Sequence, residues 1–548
     1  MASSSWFKLG MASKSSYGPG DDPLLQQAVG KSLMRIPEGQ TAQTLCKEFL
    51  SCLYKYIMGT LQDVYSPIFE LTPIEFVFST PAEWGEEYKM CLRMAATEAG
   101  FGSRINDKIS MVDEPEAAAL FTFEFYKEKG TKSIFQANKR VMVVDMGGGT
   151  VDLITYNVKS TSPFKVSEAC PGTSAMCGGT TIDRELHRLL KAKYGNAFSS
   201  MSAKDISQGS VFMREFEDLK CRFGGESSSH SFFLQMDRNS GDGYDAGMGQ
   251  ITLTGAEICG MFNRVLEPSI EKIMQQIAAS EKGSRHPLQA IVLCGGLGSN
   301  PYILAKLKDF CENELKGKTQ VIIPSDSWSA IATGAALSQT SRRFAIQDRI
   351  CRWSYGILQH RQYLPGRDEG RETFNCPLKG RRTRGFLEWH IKKGQQMPSG
   401  FKWIDGYIAL NSRRPLAGEL QLYKCRKEIP PKTLCDDTVL LGTIQLDFAG
   451  RAKMVKRKIN NEVHVQIGQV MRTNTGEVEF VARIGNRGKS FACAKFEYEA
   501  EAVEDLESSE LVNEKYWSEE GKERPFKGGI QEEDEEEEDD DELENLEW

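Results

Sequence analysis

The sequence predicts an α/β domain, a β-rich domain after it and an acidic tail, and three observations carry that reading. Apolar strands alternate with helical patterns between residues 74 and 340, the arrangement that packs helices against a sheet. From 353 to 498 the chain changes to short alternating runs separated by Gly, Asn and Pro, which predicts a small sandwich. Residues 532–547 hold 13 acids and no base, so without them the formal charge moves from −8 to +5.

The elements follow in order. Residues 1–40, rich in Ser, Gly and Pro and without a period, form an irregular segment. Between 41 and 65, Leu45, Phe49, Cys52, Leu53, Tyr56, Ile57 and Leu61 recur at spacings of three and four, an amphipathic helix. A short strand over 74–79 ends at Pro81, and a second helix over 86–100 stops at Gly100. Strands over 141–145 and 151–158 flank three glycines as a hairpin. Thr254 and Glu257 form a capping box ahead of a helix reaching 277. After a buried strand over 290–294, Asn300-Pro301 supplies the cap and first turn of another helix. Later strands are expected at 409–410, 420–424, 439–448, 464–470, 478–484 and 490–496. Four regions result: 1–40 irregular, 41–343 α/β, 346–503 β-rich, and 504–548 acidic and too poor in apolar groups to fold.

Composition removes several functional classes. The 548 residues are 40% hydrophobic and 26% charged, which is ordinary globular usage. A near-neutral body with one acidic tip lacks the clustered Lys and Arg of a nucleic-acid surface. No stretch reaches the ~18 uninterrupted apolar residues of a bilayer-spanning helix. The Ser-rich opening lacks the apolar core of a secretory leader, so the expected location is the cytoplasm, with the nucleus as the alternative. The 14 cysteines include no C-x-x-C pair, which predicts reduced, mostly buried thiols.

The most informative segment is 141–152, Val-Met-Val-Val-Asp-Met-Gly-Gly-Gly-Thr-Val-Asp. A strand follows its glycines and no Lys is present, so it is neither a dinucleotide fingerprint nor a P-loop. Gly147, Gly148 and Gly149 let backbone amides approach an anion. Asp145 and Asp152 bracket the turn with carboxylates suited to a hydrated magnesium ion. Phosphate plus metal is the natural ligand; the rival is a hairpin that needs glycine merely to turn. A second segment, Asp113-Glu114-Pro115-Glu116-Ala117-Ala118-Ala119, puts acids at a helix start, where they can simply complement the dipole. The third, 291–302, is a strand, a turn of small residues and a helix, which admits either a flat nucleoside or close helix–strand packing.

Together and in this order, the three segments resemble the nucleotide-binding domain of the 70-kDa heat-shock (DnaK-like) chaperones, in the superfamily shared by actin and sugar kinases. Phe78-Ser79-Thr80-Pro81-Ala82 is similar to the family's V-P-A strand end, and Asp113-Glu114-Pro115 to its N-E-P-T-A-A-A. Residues 145–150 are similar to its second phosphate loop D-L-G-G-G-T, and Gly178-Gly179 to its G-G-E-D-F-D turn. Gly295-Gly296 is similar to its adenosine motif, and Gly334-Ala335-Ala336 to its closing Y-G-A-A. The variant G-G-x-G-S-N-P-Y is that of a divergent eukaryotic subgroup. The likeness runs from about 70 to 340; the β-rich region is similar to the family's peptide-binding sandwich in position and character alone.

The resemblance implies an actin-like (ribonuclease H-like) two-lobed ATPase domain, incomplete at its N-terminus, with ATP or ADP and Mg2+ as cofactors. It implies that Glu114 orients or polarises the attacking water and that Asp145 holds the magnesium water shell, with Asp152 in the same metal-proximal set. Gly147, Gly148, Gly149 and Thr150 would face the β- and γ-phosphates. Glu217 and Lys220 would clasp adenosine from one side, with Gly295, Gly296 and Ser299 on the other; the plain alternative for Glu217 and Lys220 is surface charge on a helix. The family's first phosphate hairpin, D-x-G-T-T, and its hydrolysis-assisting lysine are both expected to be missing, since Ser5-Trp6-Phe7-Lys8-Leu9 is similar to sequence that follows them. Ser299 and Trp328 stand where the family has an Arg and an Asp. The expected function is ATP binding in a chaperone-like protein with impaired hydrolysis, its partners being nucleotide, extended peptide segments and co-chaperones, without nucleic acid or membrane. A catalytically inactive interaction protein and a sugar-kinase-like phosphotransferase are the alternatives.

Overall fold

The computed structural model describes residues 6–11, 33, 36–81, 84, 86–128, 135–161, 164–225, 227–283, 285–340, 344–376, 380–398, 402–409, 417–447, 462–471, 478–484 and 490–494. Most of the expected segment 1–40 and all of the expected tail 504–548 lie outside the described residues.

A one-turn helix α1 (Phe7–Gly10) precedes α2 (Ala42–Tyr65). The start of α2 is set by Thr41, whose hydroxyl accepts from the Thr44 amide while the Thr44 hydroxyl accepts from the Thr41 amide. β1 (Glu75–Thr80), α3 (Glu86–Glu98), β2 (Lys108–Asp113) and α4 (Glu114–Glu128) follow. β1 and β2 pair in parallel, with Thr80 opposite Asp113. Leu9, Cys46, Leu50, Phe76, Tyr88 and Leu92 share one core, so α1 is packed into this lobe by its single buried leucine.

The second lobe begins with β3 (Arg140–Met146), β4 (Val151–Thr161), β5 (Phe164–Glu168) and β6 (Thr173–Ala175). Helices α5 (Thr180–Tyr194), α6 (Asn196–Ser199), α7 (Ala203–Ile206) and α8 (Val211–Arg222) come next. β7 (His230–Phe233), β8 (Tyr244–Asp245) and β9 (Gln250–Leu253) form a small sheet of their own. α9 (Gly255–Gly283) opens on the expected box: the Thr254 hydroxyl accepts from the Glu257 amide, and the Glu257 carboxylate accepts from the Thr254 amide. β10 (Leu288–Cys294), α10 (Pro301–Asn313), β11 (Gln320–Ile322) and α11 (Ala330–Thr340) complete the alternation. Asn300 caps α10 by accepting from the Ile303 amide.

Beyond residue 343 the main sheet continues instead of ending at the expected boundary. β12 (Phe344–Ile350) pairs in parallel with β5. β13 (Ser354–Gln362), β14 (Thr373–Cys376) and β15 (Gly380–Ile391) follow, and β16 (Gln396–Pro398) then returns antiparallel to β12. The eight-stranded sheet therefore runs β11-β10-β3-β4-β5-β12-β16, with β6 beside β4. β17 (Lys402–Ala409), β18 (Ala417–Cys425), β19 (Thr438–Asp447), β20 (Glu462–Met471), β21 (Val478–Ile484) and β22 (Ser490–Ala494) complete two antiparallel sheets, β14-β15-β13-β18-β19 and β17-β20-β21-β22.

β3 is buried throughout because both its faces are covered, which is why it reads as an unbroken apolar run. Met142, Val144 and Met146 enter one core with Leu186, Phe216, Phe262 and Leu307. Val141 and Val143 enter the opposite core with Ala118, Phe121 and Ile346. Small residues bring α11 against α4: a Cβ on Gly334 would lie 1.8 Å from the Ala117 carbonyl oxygen. Among the described residues no helix is long and apolar enough to cross a membrane, and seven cysteines with described side chains are buried.

Candidate functional site

The β3–β4 register puts Asp145 opposite Asp152 and Met146 opposite Val151, leaving 147–150 as the turn. Glu114, the first residue of α4, joins the two aspartates: the three side chains bring carboxylate oxygens within 4.8 Å of one another, and all are buried. Burial, then the charges of Glu114 and Asp152, push the Asp145 carboxyl well above its ordinary range. Its Oδ1 is buried with no hydrogen-bond partner. Acids gathered in a dry site repel one another unless a cation joins them. A hard divalent cation with oxygen ligands fits this donor set, with the orphaned Asp145 oxygen as its clearest sign.

The glycine turn bears on both readings of its sequence. None of Gly147, Gly148 and Gly149 adopts a left-handed φ, so the backbone could turn here with other residues. A Cβ on Gly148 would meet nothing within 4 Å. What glycine supplies at Gly148 is open space above the backbone. The loop is held from behind: the carbonyls of Gly147, Gly148 and Gly149 accept from the amides of Gly179, Thr180 and Gly178 at 3.0, 2.7 and 3.1 Å. A Cβ on Gly178 would sit 2.7 Å from three backbone atoms of the loop, which explains the Gly178-Gly179 pair. Thr150 is buried, and its carbonyl accepts from the Gly147 amide at 3.0 Å.

Lys8, which the sequence reading did not place at the site, lies beside Glu114. Its Nζ lies 2.7 Å from Glu114 Oε1, on a side chain 46% exposed. Desolvation opposes its charge, yet Glu114 and, more weakly, Asp152 hold its pKa above the ordinary lysine value. Leu9, the next residue, lies against Gly149, so α1 delivers both a cation and a packing contact to the loop. The two partners stand 106 residues apart, a pairing that no local pattern reveals.

The other wall is built by the turn after β10. Gly295 takes φ +81°, and a Cβ there would lie 2.4 Å from Asp145 Oδ1 and from the Met146 carbonyl oxygen, so only glycine fits. Gly296 is exposed, and Ser299, also exposed, donates its hydroxyl to the Gly296 carbonyl at 2.8 Å. Asn300 donates to the carbonyls of Lys220 and Phe223 at 2.8 and 3.3 Å, which ties the C-terminal end of α8 to this turn. Lys220 does not extend freely: it is buried, with Nζ 2.9 Å from Asp183 and 2.6 Å from Glu217. Glu217, half-exposed, lies on the same side. Gly295 therefore lies against Asp145, and Asn300, five residues further on, bonds the carbonyl of Lys220.

Two arginines that sequence reasoning missed brace the base of α4. Arg349 makes a bidentate pair with Glu116, both contacts at 2.6 Å and both residues buried. Arg352 Nη1 pairs with the Asp113 carboxylate, and Lys89 approaches the same group at 3.4 Å. Against burial, which would raise it, Lys89 and Arg352 hold Asp113 well below the usual carboxylate range. The acids on either side of Glu114 and Pro115 are therefore fixed by charges from elsewhere in the chain.

Comparison with known proteins points to one family. The sequence pattern of the family described as Hsp70 protein matches residues 73–345. Heat shock 70 kDa protein 14 of Xenopus tropicalis is 24% identical over 316 residues, 57% of this chain and 56% of that one. A ribosome-associated molecular chaperone of Zygosaccharomyces rouxii is 24% identical over 438 residues, 76% of this chain and 64% of its own. Chaperone protein DnaK of Anaplasma marginale is 22% identical over 259 residues, 46% of this chain and 37% of its own. The chain spans about half the length of the curated relatives it matches.

Proposed function

The chain belongs to the Hsp70 family as a divergent member, and from that premise we propose that it is a chaperone-like protein whose first region binds Mg-ATP or Mg-ADP in the cytoplasm. The observation that carries the reading is the juxtaposition of three buried carboxylates with an open glycine cradle. Asp145 and Asp152 would hold the magnesium ion, which when bound neutralises phosphate charge. Gly147, Gly148, Gly149 and Thr150 present the loop to the phosphates. Gly295, Gly296 and Ser299 on one side, with Glu217 and Lys220 on the other, enclose the nucleoside.

Glu114 is placed to accept a proton from, or orient, an attacking water, with Lys8 holding its carboxylate and offering positive charge to a phosphate. In this reading one glycine loop, 147–149, meets the phosphates. A phosphate clamped from one side moves, and a misplacement of about 1 Å can lower a rate on the order of a hundredfold. Hydrolysis by this chain is accordingly slow relative to binding. Closure of the lobes around nucleotide would act on the β-rich region, where extended peptide segments are the proposed ligands and co-chaperones further partners.

One observation favours the rival reading of a catalytically inactive interaction protein: Glu114 is already paired to Lys8 at 2.7 Å, so one of its oxygens is engaged before any water arrives. A single-turnover phosphate-release assay separates the two. Slow release abolished by Glu114→Ala supports a working site, whereas bound ATP that is released unchanged in both proteins supports the rival. Failure of Mg-ATP to raise the melting temperature at any concentration would remove the nucleotide reading and leave the interaction protein standing.

A further inference from the structure

Trp328 is not absorbed by any role above. It lies on the short 3-10 turn Ser327–Ser329, before α11, and is 77% exposed. By contrast, Trp6, Trp84, Trp353 and Trp389 are all buried or partly buried. The turn is not remote from the candidate site. The Ser327 carbonyl accepts from the amide of Gly295 at 3.1 Å, the glycine that touches Asp145. The turns Leu297–Ser299 and Ser327–Ser329 pack against each other, so Trp328 stands at the rim of the wall formed by Gly296 and Ser299.

The polar side chains of that wall are already engaged. The Ser299 hydroxyl donates to Gly296, Asn300 bonds Ile303, Lys220 and Phe223, and Lys220 holds Asp183 and Glu217. Few groups there remain to read the edge of a base. A flat apolar face is what the rim does offer, and an exposed indole gains by being covered.

We propose that the indole of Trp328 is the stacking platform for the nucleobase, so that the site takes a nucleoside polyphosphate in preference to a bare polyphosphate. This deepens the nucleotide reading above and rests on it. Phosphates and metal would be held at the Asp145 end, and the base would be held by contact with the Trp328 ring.

Titration calorimetry of the full chain with Mg-ATP and with magnesium tripolyphosphate, which has no base, tests the idea. Trp328→Ala is expected to weaken ATP binding by about 5- to 150-fold, the range spanned by one base–aromatic stack, and to leave tripolyphosphate binding unchanged. Trp328→Phe, which keeps a ring, is expected to retain ATP affinity within about threefold. Equal ATP affinity in wild type and Trp328→Ala would overturn the stack and leave the nucleotide site standing. Parallel loss of both ligands in Trp328→Ala would show that the residue supports the fold of the wall, which also overturns the stack. A wild-type chain that binds neither ligand would remove the nucleotide reading and the stack together.

Discussion

Gly148 and Gly178 lie on opposite sides of the same loop, and the structure assigns them opposite consequences. At Gly148 a Cβ meets nothing within 4 Å and φ is not left-handed. Gly148→Ala should therefore stabilise the ligand-free protein by about 0.4–1 kcal/mol, because alanine restricts the unfolded chain. At Gly178 the added carbon would lie 2.7 Å from the Gly147 carbonyl oxygen and from the carbonyl carbon and oxygen of Gly148. Backbone cannot step aside as a side chain can, so Gly178→Ala should cost about 1–3 kcal/mol. For ligand the order reverses. The new methyl at Gly148 fills the space through which a phosphate reaches the loop amides, and losing one hydrogen bond to a charged group is worth about 1.5–3 kcal/mol, roughly 10- to 150-fold in affinity. Thermal denaturation without ligand, followed by calorimetry with Mg-ATP, measures both. A Gly148→Ala protein that melts lower than wild type yet binds ATP normally would show that the glycine serves the turn, and the phosphate assignment would fail.

Other consequences are as direct. Arg349→Met leaves Glu116 buried without its bidentate partner and should destabilise by about 3–5 kcal/mol; the double variant with Glu116→Gln should recover much of that in urea denaturation, and no recovery would mean the pair is not coupled. Burial, only partly offset by a backbone hydrogen bond at Ile206, lowers the His187 pKa from 6.5 to about 4. Its protonation therefore opposes folding: stability is full above the unfolded value and falls as pH drops from about 6.5 toward 4, by up to about 3 kcal/mol. His187→Phe, packed against Phe198, should flatten that acid limb, and an unchanged pH profile would exclude His187 as its source. Removing residues 530–548 should leave Mg-ATP affinity unchanged, since an acidic segment repels a polyphosphate; loss of binding would place that segment in the site.

How much of this was legible in the sequence depended on range. The α2 start at Thr41, the box at Thr254 and Glu257, and the Asn300 cap are local hydrogen bonds, and local spacing announces them. The β3–β4 hairpin was readable for the same reason, and with it Asp145 and Asp152. Lys8 was not, because its partner Glu114 is 106 residues away and its own helix is one turn long. Arg349 and Arg352 reach back 233 and 239 residues, and nothing in their flanks marks them as buried. β12 was not among the expected strands, since its neighbours in the sheet, β5 and β16, come from other stretches of chain. β17 was expected only at 409–410 but spans Lys402–Ala409, its apolar residues being diluted by Lys402, Asp405 and Gly406. Glu217 and Lys220 do fall on a helix, one tied to the turn after β10 through Asn300. The buried tie of Lys220 to Asp183, however, depends on packing that helical spacing does not encode.

The central claim is that Asp145 and the glycine loop together hold a metal-bound nucleotide. Calorimetry with ATP in the presence of Mg2+ and again with the metal chelated, on wild type and Asp145→Ala, tests it most directly. The account predicts binding to wild type that tightens with Mg2+, and a loss of at least about tenfold of that enhancement in Asp145→Ala, as expected on removing one charged ligand. Identical heats from the two proteins, or wild-type affinity indifferent to Mg2+, would contradict it.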